Sequence, residues 1–68
     1  MPFVRLEMLN GRSQSVKSAL VRDLTEVVAR HSGATPDHIQ VLIVEHAPQN
    51  WALAGQMLAD RGISHDDG

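Results

Sequence analysis

Pro2 directly follows the initial methionine, at the head of a predicted strand. One interpretation is structural, because proline is tolerated at the first position of a strand, where its missing N–H is not needed. The other interpretation is chemical. If Met1 is removed, Pro2 carries a free secondary amine, which can take up a proton and return it. The rest of the chain must decide between the two.

Arg12 is the second residue with a chemical interpretation, and it follows a turn at Asn10-Gly11. A guanidinium can hold a carboxylate through two parallel hydrogen bonds and can stabilise negative charge that develops beside it. On spacing alone, however, an exposed turn arginine is the simpler interpretation.

Two strands are predicted from the periodicity of the apolar residues. Residues 2–9 alternate, with Val4, Leu6 and Met8 on one face. Residues 39–45 are apolar on both faces, which is typical of a strand that is buried on both sides.

Between these strands the apolar residues recur at three- and four-residue steps, which predicts a helix over 15–31. Ser13 is suited to cap its start and Gly33 to end it. Strand, helix and strand form a β-α-β unit with two parallel strands and a right-handed crossover. The segment 47–62 is predicted as a loop or small hairpin that reaches a neighbouring subunit, and 63–68 as a frayed, disordered tail. The fold class is α+β. The predicted apolar stripe of the helix comprises Val16, Ala19, Leu20, Leu24, Val27 and Val28.

One helix covers only one face of a two-stranded sheet, so the other face needs a cover from outside the chain. A chain of 68 residues buries only about 60 % of its unfolded surface. It contains no cysteine for a disulfide, and its four histidines lack a metal-ligand spacing. We therefore predict a homo-oligomer and neither a metal nor a cofactor. The candidates for the uncovered face are Phe3, Leu9, Leu42 and Val44.

Charge and hydropathy exclude other classes of protein. The net charge is −2 and the basic residues are scattered, so no footprint for nucleic acid is present. No apolar stretch reaches the length of a membrane span, and no signal peptide is recognisable. The expected location is the cytoplasm. His38 and His46 are interpreted as surface or interface residues.

A β-α-β unit that starts Met-Pro and closes its first strand with the segment Leu9-Asn10-Gly11-Arg12-Ser13 resembles the 4-oxalocrotonate tautomerase family. The resemblance covers residues 2–62 and includes a second strand ending in Glu45 and an aromatic at Trp51. It implies an isomerase that moves a proton in an enol or 2-keto acid, in which methionine is removed and the prolyl amine of Pro2 is the general base and acid. It also implies that Arg12 binds the substrate carboxylate and that Trp51 forms an apolar wall. Members of this length are commonly hexamers built from three dimers, with active sites between subunits.

The chain departs from the family pattern at Gln40, where the resemblance implies a second arginine on strand two. Glutamine donates hydrogen bonds but carries no charge. We take Gln40, Trp51 and Leu9 as substrate-binding candidates beside Arg12, and Arg5 as a cation that a neighbour could supply. Trp51 is equally well interpreted as an interface anchor.

Two other functions stay open at this point. The first is an oligomeric interaction module in which the proline is idle. The second is the hydration or dehalogenation chemistry of some relatives, which adds an acid in the loop region. Residues 51–57 contain no acid, although Glu7 or Glu45 could contribute from a neighbour.

Overall fold

A computed structural model describes residues 1–62 and confirms the predicted α+β fold. A strand β1 (Phe3–Leu9) and a strand β2 (Gln40–His46) form a two-stranded parallel sheet, and a helix α1 (Gln14–Ser32) connects them. The predicted tail at 63–68 lies outside the described residues. Within residues 1–62, no helix has both the length and the apolar character to cross a membrane. The shorter elements are two strands, β3 (Ala52–Leu53) and β4 (Gln56–Met57), and 3₁₀ turns at Pro36–His38, Pro48–Asn50 and Leu58–Arg61.

The chain divides into two compact units, of which the first comprises Met1–Leu6 and Ser13–Ile43. Its helix begins and ends as the local sequence predicts. The Ser13 hydroxyl accepts a hydrogen bond from the Val16 N–H at 3.3 Å, and Gly33 ends the helix with a left-handed φ of 78°. The helix is one residue longer at each end than predicted.

Burial in this unit alternates along both strands. Val4, Leu6, Val41 and Ile43 are half-buried, whereas Phe3 and Leu42 on the opposite face are 59 % and 44 % exposed. The uncovered sheet face is therefore confirmed at these two positions.

The apolar stripe of α1 is narrower than predicted. Val16 and Val27, at its margins, are 51 % and 43 % exposed.

The second unit comprises Glu7–Arg12 and the described residues 44–62. The predicted hairpin is formed by β3 and β4, which pair antiparallel. Both turn residues, Ala54 and Gly55, have positive φ angles of 53° and 79°, as a tight two-residue hairpin turn requires.

Leu9 and Leu58 are the buried hydrophobic residues of this unit, at 5 % and 8 % exposure. Leu9, a candidate for the uncovered sheet face, is therefore not exposed there. Its burial in the same unit as Leu58 removes it from solvent within its own chain.

Candidate active site

Pro2 is half-buried immediately before β1, behind a Met1 that is 82 % exposed. Its carbonyl oxygen accepts a hydrogen bond from the Gln40 N–H at 3.1 Å, which joins the starts of the two strands. The Gln40 side chain also reaches this end, because its Nε2 lies 3.4 Å from the sulfur of Met1. The first unit thus brings together Pro2 and Gln40, two of the predicted site residues.

Arg12 lies in the second unit, between a glycine turn and the cap of α1. Gly11 has a φ of 117°, a conformation that side-chain-bearing residues rarely adopt. Ser13 is extended and caps the helix. This conformation leaves Arg12 half-buried on a short, conformationally restricted segment.

Trp51 is half-buried in the same unit and contacts a histidine. The rings of His46 and Trp51 are 5.8 Å apart at an angle of 82°, an edge-to-face arrangement. His46 Nε2 in turn lies 2.8 Å from Glu7 Oε1. These residues border a cavity of about 330 Å³, lined by Glu7, His46, Asn50, Trp51 and Ala52.

Backbone hydrogen bonds hold the main chain at both residues that carry these rings. The His46 carbonyl accepts a hydrogen bond from the Asn10 N–H at 2.9 Å, and the Trp51 carbonyl accepts one from the Leu58 N–H at 2.7 Å. The sequence interpretation of His46 as a surface or interface residue missed its pairing with Glu7. The signal that could have found it is register, because both residues lie towards the ends of parallel strands.

Leu9, the remaining predicted substrate contact, is buried and does not line the cavity beside Trp51. Its neighbour Asn10 has a different peculiarity. The side-chain oxygen of Asn10 is buried and has no hydrogen-bond partner within residues 1–62. Buried polar atoms are nearly always paired.

No group of three or more histidine, cysteine, aspartate or glutamate side chains that could hold a metal ion is present in the described part of the chain.

Comparison with known proteins gives the family. Residues 2–61 match the family model described as tautomerase enzyme. The fold is similar to that of TomN, a 4-oxalocrotonate tautomerase homologue in the tomaymycin biosynthetic pathway. The TM-score is 0.87 at 30 % identity, over 90 % of this chain and 94 % of the other. This chain belongs to the 4-oxalocrotonate tautomerase family.

Two further proteins are similar to this chain over most of its length. The 2-hydroxymuconate tautomerase of Bacillus subtilis (strain 168) is 40 % identical over 60 residues, which are 88 % of this chain and 97 % of the relative. A heterohexameric 4-oxalocrotonate tautomerase from Chloroflexus aurantiacus J-10-fl is 30 % identical with a TM-score of 0.84, over 88 % and 97 % of the two chains. The predicted family and fold are thereby confirmed. The roles of Pro2, Arg12, Gln40 and Trp51 in this tautomerase family member stay predictions.

Proposed function

We propose that this protein is a tautomerase that moves a proton within an enol or 2-keto acid. Pro2 is the base and acid after removal of Met1, and Arg12 holds the substrate carboxylate. The observation that carries the proposal is the family match over residues 2–61, which starts at Pro2 itself. The 2-hydroxymuconate tautomerase activity in the name of the Bacillus subtilis relative supports the substrate class.

The chemistry follows from the two groups. The neutral amine of Pro2 takes a proton from one position of the substrate, and the bonding electron pair moves into the conjugated system as a dienolate. The guanidinium of Arg12 stabilises the negative charge that develops there. The ammonium of Pro2 then returns the proton at another carbon, so that no atom or electron is gained or lost.

We propose that the active protein is a homo-oligomer, and specifically a hexamer. Phe3 and Leu42 are exposed on the sheet face that α1 does not cover, and burial of such side chains is the main favourable term in association. The side-chain oxygen of Asn10, which is unpaired within residues 1–62, supports the same proposal, because a second subunit could supply its donor. The relative from Chloroflexus aurantiacus is a heterohexamer.

The test of the proposed function is turnover of enol acids by a protein whose first residue is Pro2. Intact mass establishes the removal of Met1, and phenylenolpyruvate and 2-hydroxymuconate are then assayed. We expect both to be converted to their keto forms. If a protein of confirmed mass converts neither, the tautomerase proposal fails and an interaction module with an idle proline replaces it.

A second expected result concerns the choice between these substrates. Arg12 can hold one carboxylate by charge, whereas the other end of the substrate meets the uncharged amide of Gln40. A hydrogen bond to a charged group contributes about 1.5–3 kcal/mol and a neutral one about 1 kcal/mol. A dicarboxylate should therefore lose roughly one order of magnitude relative to a site with two arginines, and a monocarboxylate with an aromatic tail should be favoured.

Substitutions at Gln40 and Arg12 test the contacts to the two ends of the substrate separately. We expect Gln40→Arg to raise kcat/KM for 2-hydroxymuconate severalfold with little change for phenylenolpyruvate. Arg12→Ala should raise KM for both compounds. Gln56→Arg adds the same charge at an exposed position of β4 and serves as the matched control. A strong preference of the parent protein for the dicarboxylate would show that another cation, with Arg5 the first to test, completes the site.

A further inference from the structure

Glu7, His46 and Trp51 form a row of side-chain contacts within the second unit. His46 Nε2 lies 2.8 Å from Glu7 Oε1, and the His46 ring meets the indole edge to face, with 5.8 Å between the ring centres. Nε2 can carry a proton in the neutral and in the charged imidazole, so either form can make this hydrogen bond. Glu7 has a further interaction as well, and its contact with His46 is present beside it.

The main chain at both rings is held in place. Between His46 and Trp51 the chain makes a 3₁₀ turn, which contains a hydrogen bond from the Asn50 N–H to the Ala47 carbonyl at 2.9 Å. The Trp51 carbonyl accepts from the Leu58 N–H at 2.7 Å. Because the backbone is fixed at Trp51, the orientation of its indole depends on the two side-chain torsions.

The surroundings of the indole differ from side to side. Trp51 borders the cavity of about 330 Å³, and empty space provides no atoms against which a ring can pack. His46 provides a ring that meets the indole at 82°, a geometry that aromatic pairs favour. Rotation of the indole about its torsions would lose this contact. The imidazole therefore favours one orientation of the Trp51 side chain.

We propose that His46 is a positioning residue, whose ring holds the indole of Trp51 in the orientation that contacts an aromatic tail of the substrate. This inference rests on the proposed function, in which Trp51 is the apolar wall of the site. A side chain that is ordered before binding avoids the entropy cost of being immobilised by the ligand. His46 should therefore affect the binding of aromatic substrates and leave proton transfer at Pro2 unchanged.

The test compares His46→Ala with the parent, both as full, assembled chains without Met1. Time-resolved fluorescence anisotropy measures the local motion of Trp51, the single tryptophan of the chain. We expect a fast local motion of the indole that the parent lacks. KM for phenylenolpyruvate should rise about three- to tenfold, the cost of ordering one side chain on binding. For this substrate kcat, and for the non-aromatic 2-hydroxymuconate KM, should stay within about twofold.

Three further variants separate the ring of His46 from its hydrogen bond. His46→Phe keeps a ring without the bond to Glu7 and should restore both the order of the indole and KM. His46→Gln keeps a hydrogen-bonding group without a ring and should behave like His46→Ala, which it replaces if that variant does not fold. His38→Ala removes an exposed histidine from the first unit and should change neither property.

Binding of 3-phenylpropanoate, measured by calorimetry, makes the test independent of turnover, because this aromatic carboxylate has no enol. Its affinity should fall about three- to tenfold in His46→Ala. An indole that stays ordered in His46→Ala, a loss of kcat at constant KM, or an equal rise of KM for both substrates would overturn the inference. So would rescue by glutamine but not by phenylalanine, or a parent that does not bind 3-phenylpropanoate.

The two proposals can fail separately. If the parent binds 3-phenylpropanoate and His46→Ala weakens that binding and frees the indole, but no enol acid is turned over, the proposed function is refuted and the positioning role stands. If enol acids are turned over and the indole is equally ordered with and without His46, the positioning role alone is refuted.

Discussion

Pro2→Ala should lower kcat for an enol acid by roughly 10²-fold or more, with a smaller effect on KM. After removal of Met1, the variant still presents an amine, but a primary one of lower basicity. It also lacks the ring that fixes the direction of the nitrogen lone pair. Proton transfer in the transition state is sensitive to both properties, whereas binding of the carboxylate at Arg12 is not. Steady-state kinetics with phenylenolpyruvate, on protein of confirmed mass, measures the effect.

Two controls test whether the loss of activity is due to the amine of Pro2. A protein that retains Met1 has an amide nitrogen at Pro2 and should be inactive although it is folded. Pro36→Ala replaces a proline of purely structural role, in the 3₁₀ turn before β2. It should leave kcat within a few-fold of the parent. Full activity of Pro2→Ala, or of a chain with Met1 in place, would remove Pro2 from the mechanism.

Leu42→Glu should break the assembly. Leu42 is 44 % exposed on the uncovered sheet face, and an oligomer that buries this face would have to bury the new carboxylate without a partner. Such burial costs several kcal/mol per charge and is repeated at every symmetric interface. We expect light scattering to give a multiple of 7.4 kDa for the parent and a lower mass for the variant. The thermal midpoint of the variant should fall, and kcat/KM should drop at least tenfold if the proposed sites lie between subunits.

Ser18→Glu is the matched control, since it adds the same charge at an exposed position of α1. Its mass and thermal midpoint should stay those of the parent. Dilution of the parent should also lower its thermal midpoint, because folding and association are linked by mass action. A monomeric parent at micromolar concentration, or an intact oligomer of Leu42→Glu, would contradict assembly through this face.

The features that the sequence predicts well are those determined by neighbours in the chain. Ser13 and Gly33 bound α1 as expected, because a cap needs only a few residues on either side. The alternation of β1 likewise places Phe3 outside and Val4 inside.

The features that were missed depend on residues far apart in the sequence. Leu9 is buried in a unit that also contains Leu58, a burial that the periodicity of β1 could not show. The contact of Glu7 with His46 joins positions separated by 39 residues and depends on strand register. A shift of one residue in that register would turn His46 to the opposite face of the sheet.

On the proposed mechanism, a chain that retains Met1 is an inactive precursor of the enzyme. Met1 blocks the nitrogen of Pro2 covalently, and its sulfur also lies 3.4 Å from the amide of Gln40. A single cleavage would therefore unmask the proposed base and one proposed substrate contact together. An affinity tag placed before Pro2 would preserve the blocked state in a folded protein, and a screen with such a tagged protein would miss the activity. Production with a free amino terminus is thus a condition for detecting any catalysis by Pro2.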